Sequence, residues 1–415
     1  MGMPPAAKHP EEIELKRALN LAFLTLYGLG TILGAGIYVL VGKVAGIAGL
    51  YAPIAFLVAA VVAAVTALSY AELASRFPKS AGEAIYVQEG FGVRALSIAV
   101  GLLLVVSGLV SSATLANGFV GYFDVFLDAP RWLVITLLVA ALGTLAAWGI
   151  AESAIAAAVA TLIEVAGLVL IVAVSTESLA TLPARVPELL PPFDAATWAG
   201  IAAGAFLAFY AFIGFEDMVN VAEEVKDPRR VLPSAIILAM TVSTGLYLLV
   251  AIAAVLALPL EELAGSDAPL ALMFERATGQ APVAIAAIGL FAVVNGALVQ
   301  IIMGARVLYG MSQARWLPRW FGRVHARRRT PHHATAFVAG AVLILALWLP
   351  LVTLAKATSF TVLVVFALIH AALLRIKRRS PAPPGVRTCP LWVPAAGLAF
   401  TIAMLAFELL GVLVG

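Results

Sequence analysis

The chain has 415 residues, of which 63% are hydrophobic and 12% charged, with a formal net charge of +3 at pH 7. Its mean hydropathy is +1.04, and soluble domains carry about twice that share of charge, so a water-soluble globular fold is excluded. A lone cysteine, Cys389, excludes an intrachain disulfide and a cysteine-based metal cluster, and the alternating segments of a membrane β-barrel are absent.

The apolar residues fall in runs of roughly 18 to 25, each long enough to cross hydrocarbon. Eleven spans are predicted, at about 19–44, 51–75, 95–123, 131–149, 153–175, 198–221, 232–258, 281–311, 334–349, 352–375 and 391–414. The polar tail 1–18 lacks the apolar core and cleavage site of a signal peptide, so the first span is expected to direct insertion. No soluble domain interrupts the sequence. The segments at about 176–197 and 259–280 are expected on the outer membrane face, the second with a surface helix over Ala268 to Ala277.

Orientation follows from the basic residues. With the N-terminus in the cytoplasm, twenty of the 26 lysines and arginines fall inside and five outside, while Arg306 stays within a span. That split places the C-terminus outside. Basic runs such as His325 to Arg329 read as stop-transfer charge rather than as nucleic-acid sites. The nearby His332 and His333 read as parts of a solvated loop rather than metal ligands.

The first span holds an interruption at Thr31-Ile32-Leu33-Gly34-Ala35-Gly36, with Gly28 and Gly30 just before it. Two readings fit. Gly30 and Gly34 form a GxxxG pair for close helix packing, or the helix opens and its second half presents free N–H groups and a positive dipole end to an anion.

The sixth span meets Gly214 and then the adjacent acids Glu216 and Asp217. Acids at membrane depth are costly and face a cavity or a partner. Either the helix breaks around Phe212 to Gly214, or the span ends early with the acids at the interface. Two interruptions five spans apart match an inverted five-plus-five repeat, whose substrate site lies between two broken helices.

These segments carry a family resemblance. Leu15-Lys16-Arg17, the Gly34-Ala35-Gly36-Ile37 break, Pro78 to Gly82, Phe212-Ile213-Gly214-Phe215-Glu216, Ala222 to Arg230, Asn295-Gly296-Ala297 and Arg306 to Met311 resemble the amino acid–polyamine–organocation (APC) superfamily, over about residues 15 to 376. The resemblance implies an all-α, multi-pass membrane protein of the LeuT-type fold, with spans 1 and 6 broken. It implies a ten-helix core at 19–376 (repeat one about 19–175, repeat two about 198–376), and the spans and charges above add a cytoplasmic tail at 1–18, a basic cytoplasmic loop at 377–390 and an eleventh helix at 391–415. Relatives usually have twelve spans.

By the same resemblance, the amides of Thr31, Ile32, Leu33, Gly34, Ala35 and Gly36 would bind a substrate carboxylate. Carbonyls near Ile32, Tyr210 and Ile213 would bind its amine, beside Phe212 and Gly214. Tyr210 or Phe209 would form an aromatic lid, and Ser107, Ser111, Asn117, Asn295 and Ser359 are candidates for the side-chain pocket. No clear lone acid lines that predicted pocket, which points to neutral amino acids. Val283 to Arg306 contains no serine or threonine, so the hydroxyl-lined sodium site of some relatives is unsupported. Where other relatives place a lysine on span 5, this chain has Glu164. It is the first candidate for a proton-coupling residue, with Glu216 the second; a structural role or a pairing with Arg306 is the alternative for Glu164. His370 reads as an interfacial anchor and Glu408 as a helix or lipid contact.

The expected protein is therefore an inner-membrane amino acid permease working by alternating access as a proton symporter. An exchanger or a polyamine carrier is the alternative, and a non-transporting sensor the rival from another class. The expected partners are an amino acid, a proton and the bilayer, with no nucleic acid, cofactor or metal. No nucleophile–base pair or phosphate loop marks an enzyme.

Overall fold

The computed structural model describes residues 19–79, 82–148, 154–313, 315–325, 328 and 330–414. The expected tail 1–18, the Leu15-Lys16-Arg17 segment and residues 80 and 81 of the predicted loop lie outside them. Among the described residues the chain is helical, and its one extended pairing is an isolated parallel bridge between Leu19 and Val225.

The first span forms as α1 (Leu21–Leu33) and α2 (Ala35–Ala48), separated by Gly34 alone. Asn20 caps α1, its side chain accepting from the Phe23 N–H at 3.0 Å, which satisfies one donor that a helix start leaves free. The chain continues through α3 (Ala52–Arg76), a short α4 (Gly82–Phe91), α5 (Arg94–Phe123), α6 (Arg131–Trp148) and α7 (Ala154–Val174). Sequence reading had no helix between spans 2 and 3, so α4 is new. Two short helices follow, α8 (Thr176–Ala180) and α9 (Leu182–Leu189).

The sixth span starts as α10 (Ala195–Phe209), capped by Asp194 on the Thr197 N–H at 2.9 Å. It then tightens into a 3₁₀ turn over Tyr210–Phe212, extends at Ile213, turns at Gly214 and resumes as a ten-residue 3₁₀ stretch, Phe215–Glu224. Gly214 has φ of 128°, open to glycine and strained for any residue with a Cβ. So the expected break is present, but its second half is 3₁₀ and not α-helical.

The remaining helices are α11 (Pro228–Ala257), α12 (Leu260–Gly265), α13 (Pro269–Thr278), α14 (Val283–Gln313), α15 (His332–Trp348), α16 (Leu351–Arg379) and α17 (Trp392–Val414). The expected surface helix over Ala268 to Ala277 is α13. Among the described residues, eight segments are long and apolar enough to cross a membrane, the first of them running from Leu21 to Arg76 through α1, α2 and α3. Two shorter apolar helices, Ala158–Val174 and His332–Trp348, accompany them.

Two groups of helices pack within the molecule. In one, α1, α2, α3, α10 and α11 lie against each other; in the other, α5 lies along α14, with α6 and α15 beside it. The helix α16 touches both groups and carries α17, while α7 sits between α1 and α14. The two broken segments belong to the first group, and the wall facing them belongs to the second.

Candidate functional site

The two interruptions are pressed together. A Cβ on Gly36 would stand 2.7 Å from the Ala211 Cα, so only glycine lets the start of α2 approach the Tyr210–Phe212 turn this closely. The Thr31 hydroxyl lies 3.0 Å from the Gly28 carbonyl of its own helix and 2.9 Å from the Gly214 carbonyl of the other break. Leu19 and the end of the 3₁₀ stretch close the same pair at their far ends, with Leu19 N–H donating to the Glu224 carbonyl at 3.0 Å and Lys226 N–H to the Leu19 carbonyl at 2.8 Å.

One residue that sequence reading missed holds both breaks at once. The buried Tyr247 hydroxyl on α11 lies 2.6 Å from the Ile32 carbonyl and 2.9 Å from that of Ala211. Interrupting a helix strips carbonyls of their partners, and this phenol stands between two of them, its single hydrogen shared between the pair. Its signal in the sequence is slight, a tyrosine in an apolar run two residues after Gly245. The Ile32 carbonyl, expected to face a substrate amine, is thus taken up by Tyr247 here, and the Tyr210 carbonyl accepts from Ile213 N–H at 3.2 Å.

The other predicted residues divide. Ser107, Ile213 and Glu216 line one large cavity of about 870 Å³, together with Tyr27, Asp217 and Arg306. The cavity runs from the second break, between α5 and α14, past α4 to Arg94 and Trp316. Thr31 and Asn295 line a small void of about 30 Å³ on the α7 side, with Gly30 and Thr161, room for about one water. Ser111 is buried, its hydroxyl 3.0 Å from that of Tyr210, so the aromatic proposed as a lid is fastened to α5. Phe209 packs edge-on against Phe366, with centroids 6.0 Å apart, and Phe212 against Tyr247 at 5.1 Å. Ile32, Leu33 and Gly34 are buried in the interface between the breaks, and the Ala35 amide begins α2.

Three placements differ from expectation. Ser359 is fully buried on α16 and lines neither the cavity nor the void. Asn117 donates to the Ala346 carbonyl at 3.1 Å and accepts from Arg131, so it joins α5 to α15 and α6 away from the cavity. Acids do line the cavity: Glu83, Glu89, Glu216, Asp217 and Glu224. They arrive from α4 and the 3₁₀ stretch, whereas sequence reading looked along spans 3, 8 and 10.

The coupling candidates sit on different elements, Glu164 on α7 and Glu216 on the 3₁₀ stretch. Glu164 is fully buried on α7, accepting from Asn295 Nδ2 at 3.2 Å, while its backbone carbonyl accepts from the Tyr38 hydroxyl at 2.7 Å. Glu216 accepts from the Gly214 N–H at 2.8 Å, closing the second break from its polar side. Arg306 lines the large cavity.

The remaining polar residues stand elsewhere. His370 is buried, its ring 3.1 Å from the Thr66 hydroxyl and packed against Gly397, and so joins three helices rather than anchoring at an interface. Glu408 pairs with Lys356 at 2.9 Å, tying α17 to α16. His333 stacks with Trp320 and His332.

Comparison with known proteins agrees with this architecture. Residues 19–413 match the family model described as amino acid permease. The chain is 31% identical to a branched-chain amino acid permease of Bacillus subtilis, over 96% of this chain and 89% of that protein. It is 33% identical to an uncharacterized transporter of Mycobacterium tuberculosis, over 88% of this chain and 81% of the relative. It is 27% identical to cationic amino acid transporter 4 of Mus musculus, over 92% of this chain and 63% of the relative. These relatives are named as permeases and transporters, not as enzymes. The chain is a multi-pass membrane protein of the amino acid permease family, within the APC superfamily.

Proposed function

We propose that this permease is a proton-coupled symporter of neutral amino acids, working by alternating access in the inner membrane. It has eleven spans in a LeuT-type five-plus-five arrangement, the N-terminus inside and the C-terminus outside. The observation that carries this reading is the pair of apposed breaks, the second of which heads a cavity of about 870 Å³. A rigid pore needs no such arrangement, whereas broken helices between two packed groups can rock open toward either face. On this reading the first turn of α2 receives the substrate carboxylate, and the carbonyls around Ile213 receive its amine. Ser107 and the apolar residues Leu104, Met303 and Val307, all lining the cavity, surround the side chain. The relative named for branched-chain amino acids supports a neutral substrate.

A second reading has an observation of its own. The acids along the cavity, together with relatives named for cationic amino acids, favour a carrier of cationic amino acids or amines.

The test is uptake of labelled neutral amino acids, cationic amino acids and polyamines into proteoliposomes, under a proton gradient, a sodium gradient or with preloaded substrate. Accumulation of neutral amino acids driven by protons alone supports the first reading, and selective accumulation of the cations supports the second. Sodium-driven uptake overturns the coupling assignment, and uptake only into preloaded vesicles makes the protein an exchanger. Saturable binding without uptake makes it a sensor.

A further inference from the structure

Three buried polar atoms gather where α3, α4 and the 3₁₀ stretch meet: the Tyr70 hydroxyl, the Tyr86 hydroxyl and Glu83 Oε1. Each is enclosed and, among the described residues, has no hydrogen-bond partner. An isolated orphan of this kind is rare in a folded protein, and several together mark a place where something transient is held. Glu83 is 1% exposed, yet its side chain belongs to the wall of the large cavity.

The packing explains the enclosure. A Cβ on Gly82 would stand 2.6 Å from the Val219 side chain and 2.9 Å from the Tyr86 hydroxyl, so the first turn of α4 is seated on the stretch that follows the second break. Tyr70 packs edge-on against Tyr86 at 6.2 Å and Phe215 at 5.5 Å, roofing the acid with rings. The Glu216 and Asp217 carboxyls lie within electrostatic reach of Glu83 and of Tyr70.

Among the described residues no cation pairs with this group. Arg76 and Lys377 are both spent on Glu72. Arg94 lies over Trp316 at 5.3 Å, and Arg375 lies over Phe91 at 5.1 Å. Lys79, Arg306, Glu89 and Glu224 face the cavity, where water screens them, and Glu223 is exposed. Burial, with the charge of Asp217 beside it, outweighs the hydrogen bond from the residue's own backbone N–H and pushes the Glu83 carboxyl up to about 8. A buried carboxyl without a counter-ion is stabilised by a proton.

We propose that Glu83, Glu216 and Asp217 form a proton-holding site in the cavity wall, with Glu83 as the group that takes up and releases the proton. One proton adds to Glu83 when the carboxylate becomes the acid, and the same proton leaves to water in the cavity. Glu216 is held by the Gly214 N–H, so the site is joined to the second break by one backbone hydrogen bond. The proposal deepens the transport reading, since it places proton exchange in the cavity wall, with Asp217 also lining the small void beside Asn295, the partner of Glu164.

Infrared titration of the purified full-length protein tests it directly. A protonated-carboxyl band should titrate near pH 8, vanish in Glu83→Gln and move to lower pH in Asp217→Asn, which removes a neighbouring charge. In proteoliposomes, wild-type uptake should fall about tenfold as the pH on the cavity side rises from 7 to 9, following the protonated fraction of a group titrating near 8. Glu83→Gln should be flat over that range, while Glu83→Asp, which keeps the carboxyl, should retain a slope. An unchanged band in Glu83→Gln, or an unchanged pH slope in that variant, overturns the proposal. Uptake absent from every protein with the titrating band intact would sink the transport reading and leave the proton site standing.

Discussion

Tyr247 concentrates several roles in one atom. Its single hydroxyl hydrogen is shared between a carbonyl from each interruption, within a region where water supplies no alternative. Tyr247→Phe should therefore cost about 1–3 kcal/mol, the usual penalty for a buried acceptor left unpaired, read as a lower unfolding temperature in detergent with a parallel loss of uptake. Gly36→Ala is a sharper probe, since its new methyl would meet backbone at 2.7 Å rather than a side chain able to move. Uptake should fall at least ~tenfold while size-exclusion behaviour is retained; unaltered uptake would mean the breaks do not work in contact. The positions of both interruptions were readable because a break is local chemistry: Gly34 lacks a Cβ, and Gly214 is followed, after Phe215 alone, by two adjacent acids. Tyr247 and Ser359 were not readable as inward or outward, because in a bilayer lipid and protein interior are equally apolar. Amphipathic periodicity then carries little information about which face a residue occupies.

At the scale of elements, the stretch after α16 is stitched back onto α3. Glu72, 1% exposed, accepts from Lys377 at 2.7 Å and from Arg76 at 2.6 Å, and also from the Cys389 N–H at 2.8 Å. Arg76 reaches on to the carbonyls of Ser380 and Pro381. This cluster accounts for several basic residues that sequence reading assigned to orientation alone. Counting charges shows the side on which a helix ends, but not that one acid from a distant helix gathers them. Cys389 reports on the clamp, because burial, with the Glu72 carboxylate beside it, pushes its thiol up to about 12. A thiol held so far above the working pH carries almost no thiolate, so at pH 8 maleimide should label native protein far more slowly than unfolded protein. In Lys377→Met, which breaks a buried pair at a cost of about 3–5 kcal/mol, labelling should accelerate. Equal rates in the two folded proteins would show that the clamp survives without the lysine.

Across the whole molecule, access is asymmetric. The large cavity lies on the α4 side of the breaks, whereas the other side is capped by α12 and α13, where Lys43 on α2 meets Asp267 at 3.0 Å and the Ala264 carbonyl at 3.1 Å. Asp267 is 66% exposed, so the ion pair contributes little, about 0.2–1 kcal/mol. On the alternating-access reading proposed above, that suits a closure that must reopen. Asp267→Asn should shift the balance between the two accessible forms by up to about fivefold. In a Cys389→Ser background, a Val39→Cys reporter beneath the cap should be modified correspondingly faster from that side. A rate unchanged by Asp267→Asn would assign the cap to packing alone.

The bridge between Leu19 and Val225 has a consequence for how the chain can be divided. Residues 19 to 226 form a closed circuit whose two ends hold each other. Asp227, half or more exposed and with φ of 48°, sits just beyond the join and before the first turn of α11. A polypeptide ending there carries both interrupted segments already fastened together, and the remainder of the protein begins at Pro228 as a fresh helix. Two genes, one for each portion, should therefore reconstitute a working permease when expressed together, whereas a cut at residue 214 should not.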